Sequence, residues 1–161
     1  MIKIMSMYAN IGDPIGVEEA ALRVMEMMPL SVEVSPSLIH LYVLKALVRK
    51  PTGQQNWDEI KNYYCEYAVE ASNKQRIRMD IELMLACEKF DSVSDAINWF
   101  DQYLLSEGRV NITVLHSFRR TLGKDRYESY LKGLDDELKK KIFRLIPNDE
   151  SNSKLLQTGL T

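Results

Sequence analysis

Cysteine and histidine are scarce in this chain. Its 161 residues include two of each, Cys65 and Cys87, and His40 and His116. Both cysteines lie within apolar helical patterns and far apart, whereas zinc sites use close pairs of Cys or His ligands. We therefore predict no metal site and two buried thiols, which fits a reducing, intracellular compartment.

Sequence signatures of catalysis are also missing. Gly12 and Gly16 are not followed by Lys-Ser or Lys-Thr, so no phosphate-binding loop is expected. Neither histidine has a His-x-x-x-His or Cys-x-x-Cys companion that would build a metal or nucleophile site, and we interpret both as packed or groove-edge residues. Paired carboxylates such as Glu18-Glu19 lie at helix starts, where negative charge favours the helix macrodipole. We predict a non-enzymatic protein without catalytic residues or a cofactor.

Long apolar runs are absent as well. No window reaches the roughly 18 consecutive apolar residues that a membrane span requires, so we expect a soluble protein with no membrane insertion. Residues Met1 to Tyr8 lack the basic segment, apolar core and cleavage site of a secretory signal. They have the pattern of a helix already under way without an N-cap, which is compatible with a processed form or a piece of a longer protein.

Helical periodicity, by contrast, runs through nearly the whole chain. With 45% hydrophobic and 27% charged residues, the chain has the composition and length of one globular domain. An amphipathic helix is predicted from Val17 to Met28, and a helix buried between neighbours follows Ser35. Further breaks are predicted at Gly108, Gly123 and Gly133, with Asn111 as the cap of the helix that follows Gly108. We assign residues 1–146 to a helical domain and residues 147–161 to a flexible C-terminal tail.

The helices recur in pairs. Pairs begin near Met1, Ser37, Gln75 and Asn111, so the repeat is about 36 to 38 residues, within the range of helical-hairpin arrays. A hairpin of two short helices cannot bury its apolar stripes alone, and neighbouring pairs must stack on one another. The sequence therefore predicts an all-α protein, an α-solenoid of about four stacked antiparallel helix pairs.

Two of the second helices resemble those of pentatricopeptide repeats. In Val17–Met28 and Val93–Tyr103 an acidic residue and Ala precede a large apolar stripe, and Met7–Asp13 resembles the end of that repeat's first helix and its turn. The resemblance spans about residues 1–144. It implies a right-handed superhelix with an RNA-associated role, in organellar RNA metabolism or on a ribosome, and location in a mitochondrion or plastid.

The sequence departs from the pentatricopeptide pattern in two respects. An insertion around Lys50 to Asn56 lengthens one repeat, and the positions that would read bases carry no consistent set of short polar residues apart from Ser37 and Asn111. A base-by-base code is therefore not expected. The tetratricopeptide repeat ranks second, because its Trp, Leu-Gly and Tyr positions are not evident in the first helices.

Basic charge is concentrated near the C-terminus. The net charge is −2, yet Arg109 to Arg144 contains ten basic and five acidic side chains, a net +5. Such a basic end would steer phosphates, and Tyr127 and Tyr130 lie nearby as candidate stacking partners. The alternative for this charge is a solvated face. The predicted RNA-binding residues are Arg109, Asn111, Arg119, Arg120, Lys124 and Arg126.

The predicted partners are RNA, a ribonucleoprotein or a multiprotein assembly. A pI of about 5.8 favours the alternative function, a tetratricopeptide-like scaffold that binds a peptide or serves as a subunit of a protein assembly. Aromatic side chains at helical spacing are predicted to pack between repeats rather than to form a ligand cage. They are Trp57, Tyr63, Tyr64, Tyr67, Trp99 and Phe100, with Tyr63 the expected exception beside the apolar stripe.

Overall fold

The protein is all-helical in a computed structural model that describes residues 2–27, 35–106 and 110–145. No residue in these ranges forms a strand, which confirms the predicted all-α class. The helices are α1 (Ile2–Ile11), α2 (Pro14–Met27), α3 (Pro36–Arg49), α4 (Trp57–Tyr67), α5 (Asn73–Lys89), α6 (Val93–Leu105), α7 (Ile112–Gly133) and α8 (Asp136–Phe143). They form two compact units, unit 1 (Met1–Ala86) and unit 2 (Cys87–Thr161).

The helix boundaries follow local signals in the sequence. Pro36 occupies the first turn of α3, where its missing N–H costs no hydrogen bond. The Asn56 side chain accepts a hydrogen bond from the backbone N–H of Glu59, and Asp135 does the same for Leu138. These side chains cap α4 and α8 by satisfying backbone donors that have no partner within the helix.

The predicted break at Gly123 is confirmed. Gly123 has φ 73° and ψ 171°, so α7 consists of two helical segments joined at a kink. A positive φ of this kind is easily adopted by glycine and strained for other residues. The predicted break at Gly133 is also confirmed, because α7 ends there and α8 begins at Asp136.

Helix α3 is the centre of unit 1. It packs against α1, α2 and α4. As its nearly all-apolar sequence predicts, its buried side chains lie on several faces. They are Leu41, Tyr42, Val43, Leu44, Ala46, Leu47 and Val48. Gly12, in the turn between α1 and α2, has φ +77°, and a Cβ atom there would collide with the backbone carbonyl of Arg49. The turn can therefore approach the end of α3 only with glycine at this position.

A buried polar network joins α4 to α5 within unit 1. The Tyr64 hydroxyl donates to Asp80 Oδ1 at 2.6 Å, and Arg76 Nε donates to the same oxygen at 3.1 Å. Arg76 also donates to the backbone carbonyl of Ala68 at 2.9 Å. Burial raises the pKa of the Asp80 carboxyl, against the opposing effect of these hydrogen bonds. The network provides a buried carboxylate with the partners it needs.

Aromatic stacking forms the core of unit 2. The rings of Phe100 and Phe118 lie 3.9 Å apart between centroids, and Tyr130 packs edge-on against Phe118. The Tyr130 hydroxyl donates to Asp101 Oδ1 at 2.6 Å. Phe100 therefore packs within the helical core, as its sequence spacing predicts.

Some side chains predicted to be buried are exposed. Cys65 is exposed because it follows the buried Tyr64 by one residue, which rotates it about 100° away from the packed face of α4. Met25 and Ile77 are each 45% exposed, although they belong to predicted apolar stripes. The prediction of two buried thiols is thus wrong for Cys65 and correct for Cys87. The predicted tail, residues 147–161, lies outside the described residues.

Candidate nucleic-acid interface

Five of the six predicted RNA-binding residues lie on α7 or at its N-cap, in unit 2. The sixth, Arg109, lies outside the described residues. Arg119 and Arg120 precede the kink at Gly123, whereas Lys124 and Arg126 follow it. The kink means that regular helical spacing does not place these four side chains on one face.

Asn111 caps α7. Its side-chain oxygen accepts hydrogen bonds from the backbone N–H groups of Thr113 at 2.8 Å and Val114 at 3.4 Å. Its own backbone N–H donates to the Tyr103 hydroxyl at 2.8 Å. The predicted cap is therefore present, and the Asn111 oxygen is already used by the fold.

The positive charge of Arg120 is compensated by the Glu88 carboxylate. Its Nε lies 2.8 Å from Glu88 Oε1 and its Nη2 lies 3.1 Å from Oε2, a two-pronged ion pair. The Ser117 hydroxyl lies 3.0 Å from the same Nη2. The hydrogen bonds with Glu88 raise the pKa of Arg120, and they lower the pKa of the Glu88 carboxyl. A phosphate at Arg120 would have to compete with Glu88.

The aromatic partners suggested for this region are held in the core. The Arg119 guanidinium lies 5.5 Å from the centre of the Tyr127 ring, a cation–π distance. Tyr127 itself is 1% exposed, so its ring is inaccessible to a nucleic-acid base. Tyr130 is half-buried and its hydroxyl is bonded to Asp101. The prediction that Tyr127 stacks on a base is therefore wrong, because its ring is buried in apolar packing.

The lysines of α8 also have local partners. Lys139 lies 3.8 Å from Asp136, and Lys140 lies 2.7 Å from Glu137. Lys141 Nζ donates to the backbone carbonyls of Leu104 at 2.7 Å and Ser106 at 3.1 Å. Lys141 thus satisfies carbonyls at the C-terminus of α6, where a positive charge is favourable. Within the described ranges, Lys124 and Arg126 are exposed and have no carboxylate within ion-pair distance.

A second group of cations, which sequence analysis missed, lies in unit 1. We call Lys45, Arg49 and Arg78 the α3–α5 cation cluster. Lys45 and Arg49 are one turn apart on α3, and Arg78 and Glu82 are one turn apart on α5. Arg49 Nη1 lies 2.6 Å from Glu82 Oε2. Three cations and one carboxylate therefore lie in the same part of unit 1.

This excess of positive charge contributes to a lowered pKa of Lys45. Burial lowers the pKa of its ammonium group most, the Arg49 charge lowers it further, and Arg78 adds a smaller effect of the same sign. Glu82 opposes them without restoring the pKa. Arg78 is exposed, and its guanidinium lies 6.0 Å from the centre of the Tyr42 ring. The cluster is accessible, electropositive and supported by packed side chains.

The chain separation of these residues explains why they were missed. Arg49 and Glu82 lie 33 positions apart, and the segment from Pro36 to Gly108 has eight basic and eleven acidic side chains, a net −3. The net charge of the segment therefore does not reveal the cluster. The available signal was the spacing of Lys45 with Arg49 on the first helix of one pair and the presence of Arg78 on the first helix of the next.

His40 lies in an aromatic cluster of unit 1. Its ring stacks on Tyr67 with centroids 3.9 Å apart, and its Nδ1 lies 2.8 Å from the Tyr63 hydroxyl. Burial lowers the pKa of His40 more than the nearby carboxylates raise it. His40 is therefore packed, as predicted, and Tyr63 is part of the cluster rather than an exception. His116, in contrast, is exposed on α7.

No group of three or more His, Cys, Asp or Glu side chains suited to a metal ion occurs in residues 2–27, 35–106 and 110–145. Among the helices in those same ranges, none combines the length and apolar character that crossing a bilayer requires.

Comparisons of this chain with protein-family models, with curated proteins and with solved structures give no match.

Proposed function

We propose that this protein is a non-enzymatic, RNA-associated helical-repeat protein that binds the phosphate backbone of single-stranded RNA at the α3–α5 cation cluster. The observation that carries the proposal is that Lys45, Arg49 and Arg78 lie near one another, with Glu82 paired to Arg49. Phosphate contacts supply most of the affinity of RNA-binding surfaces that do not read sequence. A cluster with excess positive charge is suited to that role.

The electrostatics of Lys45 support a bound anion. Its ammonium group is partly desolvated and lies near two guanidinium groups, and both effects lower its pKa. A phosphate placed between Lys45 and Arg78 would offset this repulsion and favour the charged lysine. The cluster would then bind RNA through charge rather than through base identity, in accord with the absence of a consistent base-reading set.

The arrangement of helices supports a repeat architecture. The helix pairs begin at Ile2, Pro36, Asn73 and Ile112, close to the positions predicted from the sequence. We propose that they form a right-handed α-solenoid of about four stacked antiparallel pairs. The first helices of successive pairs would then line one concave surface, and α3 and α5 are such helices.

The resemblance to pentatricopeptide repeats supports the biological setting that we propose. It favours a role in organellar RNA metabolism or on a ribosome, in a mitochondrion or plastid. Recovery of the native protein with its bound RNA and proteins would test this setting, since ribosomal RNA or organellar transcripts should co-purify with it.

Binding of fluorescently labelled single-stranded RNA, measured by anisotropy over a range of salt concentrations, tests the proposed site. The double variant Lys45→Gln/Arg78→Gln should weaken binding and reduce the salt slope by about 1.4, since each lost phosphate contact on a single strand accounts for about 0.7. The matched control, Lys124→Gln/Arg126→Gln, removes the same charge from unit 2.

The outcomes distinguish an error in the proposed site from an error in the proposed function. A larger loss in the control variant would overturn the α3–α5 cation cluster as the RNA site while retaining RNA binding. Absence of binding by the unmodified protein at low salt would overturn the RNA proposal itself. Circular dichroism of both variants verifies that the loss is not caused by unfolding.

A second candidate function is a protein scaffold or a subunit of a protein assembly. The observation that favours it is the exposure of large apolar side chains on α1 and α2, which monomeric soluble proteins seldom collect on one pair of helices. These side chains are Ile2, Ile4, Met7, Tyr8, Ile11, Ile15, Leu22, Met25 and Met27. A native complex that withstands both nuclease and high salt would favour the scaffold over the RNA-associated role.

A further inference from the structure

The surface of α1 and α2 contains a groove, and a row of exposed α2 side chains forms one of its walls. The groove has a volume of about 250 Å³ and is lined in part by Ile4, Tyr8 and Met27. Along α2, Ile15, Glu19, Arg23 and Met27 recur at every fourth position, and all four are exposed. We call these four residues the α2 ridge, because side chains four apart form a continuous row on a helix surface.

The order of side chains on the α2 ridge is self-complementary. It reads apolar, acidic, basic, apolar, and reversing it exchanges the two charges while leaving the apolar ends in place. A second α2 running antiparallel would therefore place Glu19 beside Arg23 of the second copy, and Arg23 beside Glu19. A two-fold axis passing midway between Glu19 and Arg23 creates both pairs at once, as an isologous interface requires.

The apolar ends of the α2 ridge match in the same register. Ile15 and Met27, 66% and 77% exposed, would each contact the other residue of the second copy. In that register Ile4 and Tyr8 of α1, which line the groove, would lie beside the crossing in each copy. Rows of side chains four apart pack into each other's grooves in the commonest class of helix packing. The order of the charges and the exposed apolar side chains thus agree on one antiparallel pairing.

We infer that the protein forms a homodimer through an antiparallel α2–α2 contact centred midway between Glu19 and Arg23. The inference does not depend on RNA binding, because the α3–α5 cation cluster contributes none of the residues involved. The interface places Glu19 and Arg23 of each copy in two equivalent intermolecular ion pairs, with Ile15 and Met27 outside them. The occupant of this apolar face is therefore a second copy of the chain.

Charge exchange tests the pairing in solution. Sedimentation equilibrium of the full chain over a range of concentrations should show a monomer–dimer equilibrium. Either Glu19→Arg or Arg23→Glu alone places like charges together twice, and should weaken the dimer by about tenfold or more. The double variant Glu19→Arg/Arg23→Glu restores opposite charges and should recover the original affinity. Asp125→Arg, an exposed charge reversal on α7, should leave the dimer unchanged.

Cysteine cross-linking tests the antiparallel register. In a Cys65→Ser background, a mixture of Ile15→Cys and Met27→Cys chains should form an intermolecular disulfide under mild oxidation. Neither variant should cross-link efficiently alone, because the two copies of one position would lie about 18 Å apart along the helices. Efficient cross-linking of Ile15→Cys with itself would overturn this register.

Two results would overturn the dimer. One is a monomer mass at every concentration accessible to sedimentation. The other is a dimer whose affinity is unaffected by the single charge reversals and the exchanged pair, which would place the interface elsewhere. Circular dichroism of the charge variants verifies that each remains folded, and the recovery in the exchanged pair excludes unfolding as the cause of weaker association.

Discussion

The Arg49 guanidinium donates to the Glu82 carboxylate over 2.6 Å, between residues 33 positions apart in the chain. This ion pair joins α3 to α5 and compensates one of the three charges in the α3–α5 cation cluster. The Glu82 side chain is 11% exposed and that of Arg49 is 32% exposed. Glu82 therefore has two effects: it stabilises the packing of the two helices, and it limits the positive charge available to a ligand.

Replacing Glu82 with Gln should strengthen RNA binding and weaken the fold. Without the carboxylate the cluster keeps three cations uncompensated, and we expect the salt slope of RNA binding to increase by up to about 0.7, the value for one more phosphate contact. The free energy of unfolding should fall by about 1–3 kcal/mol, because a largely buried charged hydrogen bond is lost. RNA anisotropy and urea denaturation measure the two effects.

Glu59→Gln is the matched control for Glu82→Gln. Glu59 pairs with Lys50 at 3.1 Å on the surface, and its side chain is 44% exposed. Its removal should change the stability by less than about 1 kcal/mol. Weaker RNA binding by Glu82→Gln in a folded protein would contradict the assignment of the cluster as a phosphate site.

Asp80→Asn should remove a dependence of stability on pH. Burial raises the pKa of the folded Asp80 carboxyl above its unfolded value near 3.8. The folded state thus binds this proton more tightly, and the stability it contributes is present below the unfolded pKa and lost as the pH rises through the folded pKa. The free energy of unfolding of the unmodified protein, minus that of Asp80→Asn, should decrease as the pH rises.

Urea denaturation of both proteins at a series of pH values upward from the unfolded carboxyl pKa near 3.8 measures this difference, since burial raises the pKa of the folded Asp80 carboxyl. Asp58→Asn, at a carboxyl that is 81% exposed, is the control for a general effect of removing one acid from the chain. A difference for Asp80→Asn that increases with pH would mean that the hydrogen bonds from Tyr64 and Arg76 outweigh burial.

Asn111→Ala should destabilise the protein by about 1 kcal/mol, the usual cost of removing an N-cap. The two backbone donors at the start of α7 would lose their acceptor. Asn111→Ser should restore most of the stability, because a serine hydroxyl also caps helices. Thermal denaturation compares the three proteins. An Asn111→Ala protein of unchanged stability but reduced RNA affinity would instead assign Asn111 to the ligand.

The two thiols should react at different rates. Cys65 is exposed and Cys87 is 1% exposed, so one thiol should react with Ellman's reagent in the folded protein and two in denaturant. Cys65→Ser should abolish the fast reaction, and Cys87→Ser should leave it intact. Rapid modification of Cys87 under native conditions would show that α5 opens locally.

Local features of this fold were predictable from the sequence, and contacts between distant residues were not. The kink at Gly123 and the cap at Asn111 depend on a few neighbouring residues, and both were anticipated. Cys65 is exposed because it lies one residue beyond the buried face of α4. The apolar composition of the segment does not show on which face of the helix the thiol lies. Lys45 and Arg78 lie near each other only because α3 and α5 are neighbours in the fold. The residue pattern within either helix does not show this.

Arg49 combines two roles that belong to different parts of the residue. Its carbonyl forms the surface against which the Gly12 turn rests, whereas its guanidinium contacts Glu82. A substitution of the Arg49 side chain would alter charge and spare the turn, and a substitution at Gly12 would disturb the turn and spare the charge. The charge of the cluster and the architecture of the turn, although they meet at one position, are therefore genetically separable, and selection can adjust the first without eroding the second.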